Sequence, residues 1–383
     1  MRIGYEKSDY PEIRNIINKI AEYEYVDLKK NNVYAYVLFL RRKAKGFLKS
    51  YTNLNLYYSY KSIKNKKVDI IHTFNTVVKS NENFVVTFET LCPRYEEFLV
   101  EQDKSVNIQY SDMALEAFEA LRSPKCKALI AISESAKKIQ EEILVNYSYK
   151  EEILKKIVVV HPPQKVHCVN LDNRSYDKEI KFIFIGRDFF GKGGEQIIDA
   201  FEELNTEDNI NFKLIIVSSF SNTNTNRPSN EKEKFYKDKV RNTSYIEYYE
   251  EIDNAKVIDL IKQCHIGLLP TWADTYGYSV LEFQACGCPV ISTDVRALKE
   301  INNEDLGWII KVDKNTRGEA YFSTISEQEK LKRDIKEQLK EIIKDIYDKK
   351  TDIKKKGERC IEKIIEKHNE DEYSKKLKKI YNS

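Results

Sequence analysis

No apolar run in the 383 residues approaches the roughly 18 that a membrane-spanning helix requires, so a helical span is excluded. Excess charge is also missing: 64 Lys and Arg stand against 61 Asp and Glu, which removes the overall field that nucleic-acid binding draws on. The seven cysteines, at 92, 126, 168, 264, 286, 288 and 360, are odd in number and show neither a disulfide framework nor a zinc spacing, so reduced thiols are expected. Cys286-Gly-Cys288 has too short a spacer for a redox Cys-x-x-Cys pair. His161, His167 and Cys168 share one stretch, but no second cluster accompanies them and no Asp-x-Asp follows a strand, so no metal site is expected. The first residues carry an acid by position 6 rather than a signal-peptide pattern. The expectation is a cytoplasmic protein, soluble or peripheral on the inner face of the membrane.

What is present suffices for two domains: 41% apolar and 11% aromatic residues over a length too great for one ordinary core. Charge is unevenly spread. Residues 1–67 hold 15 Lys and Arg against 6 Asp and Glu, a net of +9. Within them Arg41, Arg42, Lys43 and Lys45 follow the apolar Tyr34-Ala-Tyr-Val-Leu-Phe-Leu40, a pattern suited to an anionic membrane surface.

Along the chain, Ile13, Ile16, Ile17 and Ile20 have helical spacing. Strands are expected over 68–74 and 84–90, each ending in polar residues where open α/β sheets place a ligand crevice; His72 and Glu89 are there the candidates for binding a ligand hydroxyl. A helix over 111–121, a strand and helix over 128–144 and a last strand stopped by Pro162-Pro163 complete an N-terminal domain, 1–165. A polar linker covers 166–178. A C-terminal domain, 179–365, then alternates strands (181–185, 212–218, 244–248, 265–269) with helices, the order of a parallel sheet with right-handed crossovers. Charged helices are expected over 326–349 and 353–382.

Two stretches of the second half carry chemistry. After the strand 181–185, Gly186-Arg187 and Lys192-Gly193-Gly194 lead into a helix, and two cations beside a helix N-terminus suit a diphosphate. Further on, Asp274-Thr-Tyr-Gly277-Tyr278-Ser279-Val-Leu-Glu282 reads as a loop entering a short helix that Gly287 ends before a strand at Pro289. Its two carboxylates suit a polyhydroxyl ligand, and the amides of Gly277, Tyr278 and Ser279 suit an anion. Two plainer readings stand beside these. Ser279-Val-Leu-Glu282 fits a capping box, and Asp274 fits a turn residue bonded to its own backbone.

Asp274 and Glu282, with Ala285-Cys-Gly287-Cys-Pro289-Val after them, resemble the acidic-x7-Glu signature of family-4 retaining glycosyltransferases. Gly186-Arg187 and Lys192-Gly193 resemble that family's phosphate loop. The resemblance, strongest over 125–310, implies the GT-B fold: α/β, two Rossmann-like domains facing each other across a cleft, with the last helix (366–383) crossing back to the first. It implies that Arg187 and Lys192 neutralise the leaving nucleoside diphosphate, Asp274 holds the donor sugar and Glu282 the ribose. The donor would be a nucleotide sugar, a UDP-sugar ahead of a GDP-sugar, used without metal or cofactor. The acceptor would be a glycan or a lipid-linked hydroxyl in bacterial cell-surface polysaccharide or glycoconjugate synthesis. Two departures are visible. The first acid is Asp rather than the commoner Glu, and Gly4 and Gly46 are the only glycines before 186, so the family's glycine-rich acceptor loop has no match. A nicotinamide oxidoreductase would need Gly-x-Gly-x-x-Gly, and Gly191-Lys-Gly193-Gly194 comes late and lacks the third glycine. A GT-B chain kept as an inactive scaffold is the alternative, against which Arg187, Lys192, Asp274 and Glu282 all remain.

Overall fold

Short apolar runs build two six-stranded sheets in this computed structural model, and all neighbours within each sheet are parallel. It describes residues 1–6, 9–28, 57–59, 67–79, 81–95, 98, 110–172, 174–176, 179–207, 210–221 and 228–383. The basic cluster Arg41, Arg42, Lys43 and Lys45 lies outside the described residues. Contacts divide the chain into Met1–Pro163 with Glu370–Ser383, and Gln164–Asn369.

In the first unit the strands are β1 (Arg2–Tyr5), β2 (Glu24–Asp27), β3 (Tyr57–Ser59), β4 (Ile70–Phe74), β5 (Val77–Lys79), β6 (Asn83–Phe88), β7 (Cys126–Ala131) and β8 (Ile157–Val159). Six of them order as β2-β1-β4-β6-β7-β8, and β3 pairs with β5 apart. Side-chain alternation sends consecutive residues to opposite faces, and the packing follows it. Ile71, Phe84, Val86, Phe88, Leu129 and Ala131 share a core with helices Asp112–Arg122 and Glu134–Ile143, each capped by a serine, Ser111 and Ser133. Ile70, Val85, Ala128 and Ile130, one residue out of step, form a second core. Tyr373, Leu377 and Tyr381 of the last helix, Glu370–Tyr381, close that one. Burial on both faces explains why these strands read as continuous apolar runs.

Three sequence readings change here. The helix expected through Ile20 is only Tyr10–Asn15, with Asn18 in the left-handed region at φ 58° just after it, and Ile13 is exposed. The expected helix over 353–382 is two, Thr351–Lys367 and Glu370–Tyr381, parted at His368, whose carbonyl accepts from the Gln164 amide at 2.8 Å. Between the polar 218–230 stretch and the strand at Ile246–Tyr249 lies a further helix, Asn230–Asn242, capped by Ser229.

The second unit contains β9 (Ile180–Ile185), β10 (Phe212–Val217), β11 (Ile246–Tyr249), β12 (Ile266–Leu269), β13 (Val290–Thr293) and β14 (Gly307–Ile310). Their order is β11-β10-β9-β12-β13-β14. The chain winds one way from β9 to β11 and the other way from β12 onward, so a topological switch point falls between β9 and β12. Open parallel sheets bind ligands in the crevice outside the carboxyl ends of such a pair.

Candidate functional site

Both stretches singled out in the second half leave the sheet at that switch point. β9 runs into Gly186 and Arg187, then into a turn in which Asp188 Oδ1 accepts from the Gly191 amide at 3.0 Å and the Asp188 carbonyl from the Lys192 amide at 3.0 Å. Helix Gly194–Glu207 follows. A side chain at Gly186 would crowd the Lys192 stem, with a Cβ 3.2 Å from its Cγ. Gly193, at φ 85°, lies so close to the loop after β12 that a Cβ would sit 2.2 Å from the Pro270 carbonyl oxygen. No L side chain fits there.

The two loops are fastened together. The Gly191 carbonyl accepts from the Trp272 amide at 3.0 Å and from Thr271 Oγ1 at 3.1 Å, and Trp272 Nε1 donates to Gln196 Oε1 at 3.1 Å on the helix. Trp272 is fully buried. Thr293, at the end of β13, donates to the Thr271 carbonyl at 2.7 Å. This scaffold sets Lys192 Nζ 2.7 Å from Asp274 Oδ2 and 3.0 Å from the Ala273 carbonyl. The two side chains keep 26% and 15% of their exposure, enough for a ligand to reach.

Asp274 Oδ1 accepts from the amides of Tyr276 at 3.1 Å and Gly277 at 2.8 Å. Burial alone would raise this carboxyl. The Lys192 charge and hydrogen bond, with the two amides, outweigh it and hold the group below the ordinary carboxylate range, ionised at neutral pH. The turn reading of Asp274 is therefore realised by one oxygen while the other faces the lysine. The Gly277 amide, expected to meet a ligand, already donates to Asp274. Arg187 is exposed, and its guanidinium makes no ion pair among the described residues.

Helix Tyr278–Ala285 begins two residues earlier than it would with Ser279 as its cap. Gly277, at φ 90° and ψ 51°, is the N-cap, and no side chain caps the helix, so the alternative reading of Ser279 to Glu282 as a capping box is not realised. Tyr278, Ser279 and Glu282 are half-buried on its first turns, and the Tyr276 and Tyr278 rings lie 5.3 Å apart. In the polar stretch past β10, Phe220 is buried and stacked on Phe189 at 4.1 Å; residues 222–227 lie outside the described residues.

In the first unit, Glu89 follows β6 and Asn75 follows β4. Glu89 Oε1 accepts from Asn75 Nδ2 at 3.1 Å and from Arg94 Nη1, and the Glu89 amide donates to Asn75 Oδ1 at 3.1 Å. Sequence reading missed Asn75 and Arg94; the polar residue straight after the β4 run was the available signal. His72 shares a face with Ile70 and points into the second core, fully buried. Its Nδ1 meets the Tyr381 hydroxyl at 2.6 Å and its Nε2 meets Thr87 Oγ1 at 2.7 Å. Burial pushes its pKa down to about 3. With both ring nitrogens engaged inside the unit, His72 offers nothing to an acceptor, which corrects its reading as a hydroxyl-binding residue. Among the described residues no group of His, Cys, Asp and Glu is arranged to hold a metal ion, and no helix is long and apolar enough to cross a membrane.

No curated protein sequence matches the chain. Solved structures do, over nearly the whole length. Sucrose-phosphate synthase from Thermosynechococcus elongatus has a TM-score of 0.61 at 13% identity, covering 100% of this chain and 98% of that one. HepE from Anabaena, in complex with UDP and glucose, has 0.59 at 10% identity, covering 99% and 98%. A glycosyltransferase from Rickettsia africae has 0.58 at 15% identity, covering 99% and 97%. The shared architecture is GT-B, two Rossmann-like units. Residues 171–342, which include Arg187, Lys192, Asp274 and Glu282, match the family model of glycosyl transferases group 1.

Proposed function

We propose that the chain is a retaining glycosyltransferase that moves a sugar from a UDP-sugar to a hydroxyl acceptor, without a metal ion, in building a bacterial cell-surface polysaccharide or glycoconjugate. The observation that carries this is the Lys192–Asp274 pair beside the exposed Arg187 at the switch point, within the residues that match the group 1 model. UDP is favoured because HepE is described with UDP, glucose and UDP-glucose, and a pneumococcal O-GlcNAc transferase with UDP and GlcNAc.

In this reading the donor diphosphate takes Lys192 from Asp274, and Arg187 adds two parallel bonds that a lysine cannot. Asp274, released on one oxygen and still held on the other by two amides, accepts a donor-sugar hydroxyl. Glu282 takes the ribose hydroxyls. The bond from the anomeric carbon to the diphosphate breaks as the acceptor oxygen attacks from the same face, and the leaving phosphate oxygen accepts the acceptor proton. Catalysis is then positioning and charge stabilisation, with no protein nucleophile. The acceptor is assigned to the first unit, where Glu89 follows β6. The test is to supply UDP-glucose and UDP-GlcNAc in EDTA and follow the anomeric proton of released or transferred sugar by NMR. The α-anomer formed first, and lost in Lys192→Ala, supports retention; a β-anomer contradicts it.

A further inference from the structure

The second unit has a cavity of about 590 Å³ at the opposite edge of its sheet, by the N-terminal ends of β9 and β12. It is the size of a small-molecule site. Strands of this length set the two edges roughly 20 Å apart, so it is separate from the Lys192–Asp274 pair. Among the described residues three cations line it, Arg174, Lys181 and Lys262, against one carboxylate, Glu179. Lys181 makes no ion pair among the described residues, and Lys262 reaches only the exposed Asp259, at 3.3 Å. His265, also in the wall, accepts at Nδ1 from the Lys181 amide at 2.8 Å. Burial first, then the charges of Arg174 and Lys181, lower its pKa to about 4, so it adds no charge of its own at neutral pH.

Arg174 ties the cavity to the other edge. Its guanidinium donates to the Lys262 carbonyl at 2.9 Å, where helix Asn254–Gln263 ends, and to the carbonyls of Cys286 at 3.1 Å and Gly287 at 3.0 Å, where helix Tyr278–Ala285 ends. The first turns of that second helix carry Tyr278, Ser279 and Glu282. We infer that this cavity is a regulatory site for a phosphate-bearing anion, held by Lys181, Lys262 and Arg174, and coupled through helix Tyr278–Ala285 to the donor residues. The coupling rests on the proposed transferase reading; the anion site does not.

Titration of the full chain with inorganic phosphate and with glycerol 3-phosphate, by calorimetry, tests the site. Binding should weaken about tenfold or more in Lys181→Gln/Lys262→Gln, tighten in Glu179→Gln by relief of like charge, and stay unchanged in Lys192→Ala. The opposite effects of the two sets of substitutions separate lost contacts from misfolding. Tighter binding of glycerol 3-phosphate than of phosphate marks a phosphorylated metabolite as the ligand; the reverse order marks the free ion. Binding lost in Lys192→Ala but intact in the double variant would place the anion at the donor site and overturn the inference, as would no binding of either probe. For the coupling, saturating glycerol 3-phosphate should shift KM for the UDP-sugar in wild type and not in the double variant. An unchanged KM in an active enzyme refutes the coupling, and an enzyme with no activity refutes the transferase reading while the titration still decides the site.

Discussion

Lys192 and Asp274 are 82 positions apart in the chain and 2.7 Å apart in the fold. The switch point makes the pairing, because it puts the ends of β9 and β12 side by side. In the proposed reading this charge pair holds both partners ready, and it also competes with the ligand for each of them.

The competition can be measured. Asp274→Asn keeps the shape, removes the negative charge and leaves Lys192 to the diphosphate alone. UDP affinity should be equal or higher, while sugar transfer falls by about 10²-fold with the lost sugar contact. Calorimetry with UDP beside steady-state turnover reads both quantities, and a parallel fall in the two would refute the division of labour.

Two glycines should differ in tolerance. At Gly277 an added Cβ would meet Leu298 Cδ2 at 2.4 Å, the tip of a flexible side chain; at Gly193 it would meet the Pro270 carbonyl oxygen at 2.2 Å, which is backbone. Both also have left-handed φ, which costs about 1–2 kcal/mol for a residue with a Cβ. Gly193→Ala is therefore expected to lose more stability in urea than Gly277→Ala, and to prise the two loops apart. Equal losses would show that the loop after β12 moves freely.

Acid should weaken the fold through its histidines. His72 titrates at about 3 in the fold, below its ordinary value of 6.5, so the unfolded chain binds its proton first. The stability this group supplies is complete above pH 6.5 and is lost as pH falls from there toward 3, at up to about 1.4 kcal/mol per unit. His265, lowered to about 4, acts with the same sign. Asp274 adds its loss only at lower pH, as its depressed carboxyl protonates. Urea midpoints at pH 7 and pH 5 should differ in wild type, and the difference should be roughly halved in His72→Gln. An unchanged slope in that variant would mean that His72 is not buried neutral.

The last helix can be tested through the same contact. Tyr381→Phe leaves the buried His72 Nδ1 without its 2.6 Å partner and should cost about 1–3 kcal/mol. Tyr381→Ala, which also empties the core between Ile70 and Val85, should cost more, about 3–5 kcal/mol. Equal values for the two would place the contribution in the hydroxyl rather than in the packing.

Local pattern accounts for what could be read in advance. The strands β4, β6, β9, β10 and β12 are apolar runs between polar ends, and a parallel sheet covered on both faces writes itself that way. β2, Glu24-Tyr-Val-Asp27, is an edge strand with one buried residue and left no such trace. The helix Asn230–Asn242 is charged nearly throughout, with only Tyr236 and Val240 buried. At the site, residue types and spacing marked Arg187, Lys192, Asp274 and Glu282, but that Lys192 and Asp274 bond each other depends on strand order. His72 was misread because the residue that buries it, Tyr381, comes 309 positions later. Ser279 was misread as a cap because a glycine in the left-handed region can start a helix without a side-chain bond.

UDP binding to the purified chain in EDTA, by calorimetry, tests the central claim most directly, with Lys192→Ala and Glu282→Ala alongside. The account predicts metal-independent binding in wild type, lost in Lys192→Ala with the phosphate contact and weakened in Glu282→Ala with the ribose contact. Binding that needs added magnesium, or that survives both substitutions unchanged, would contradict it.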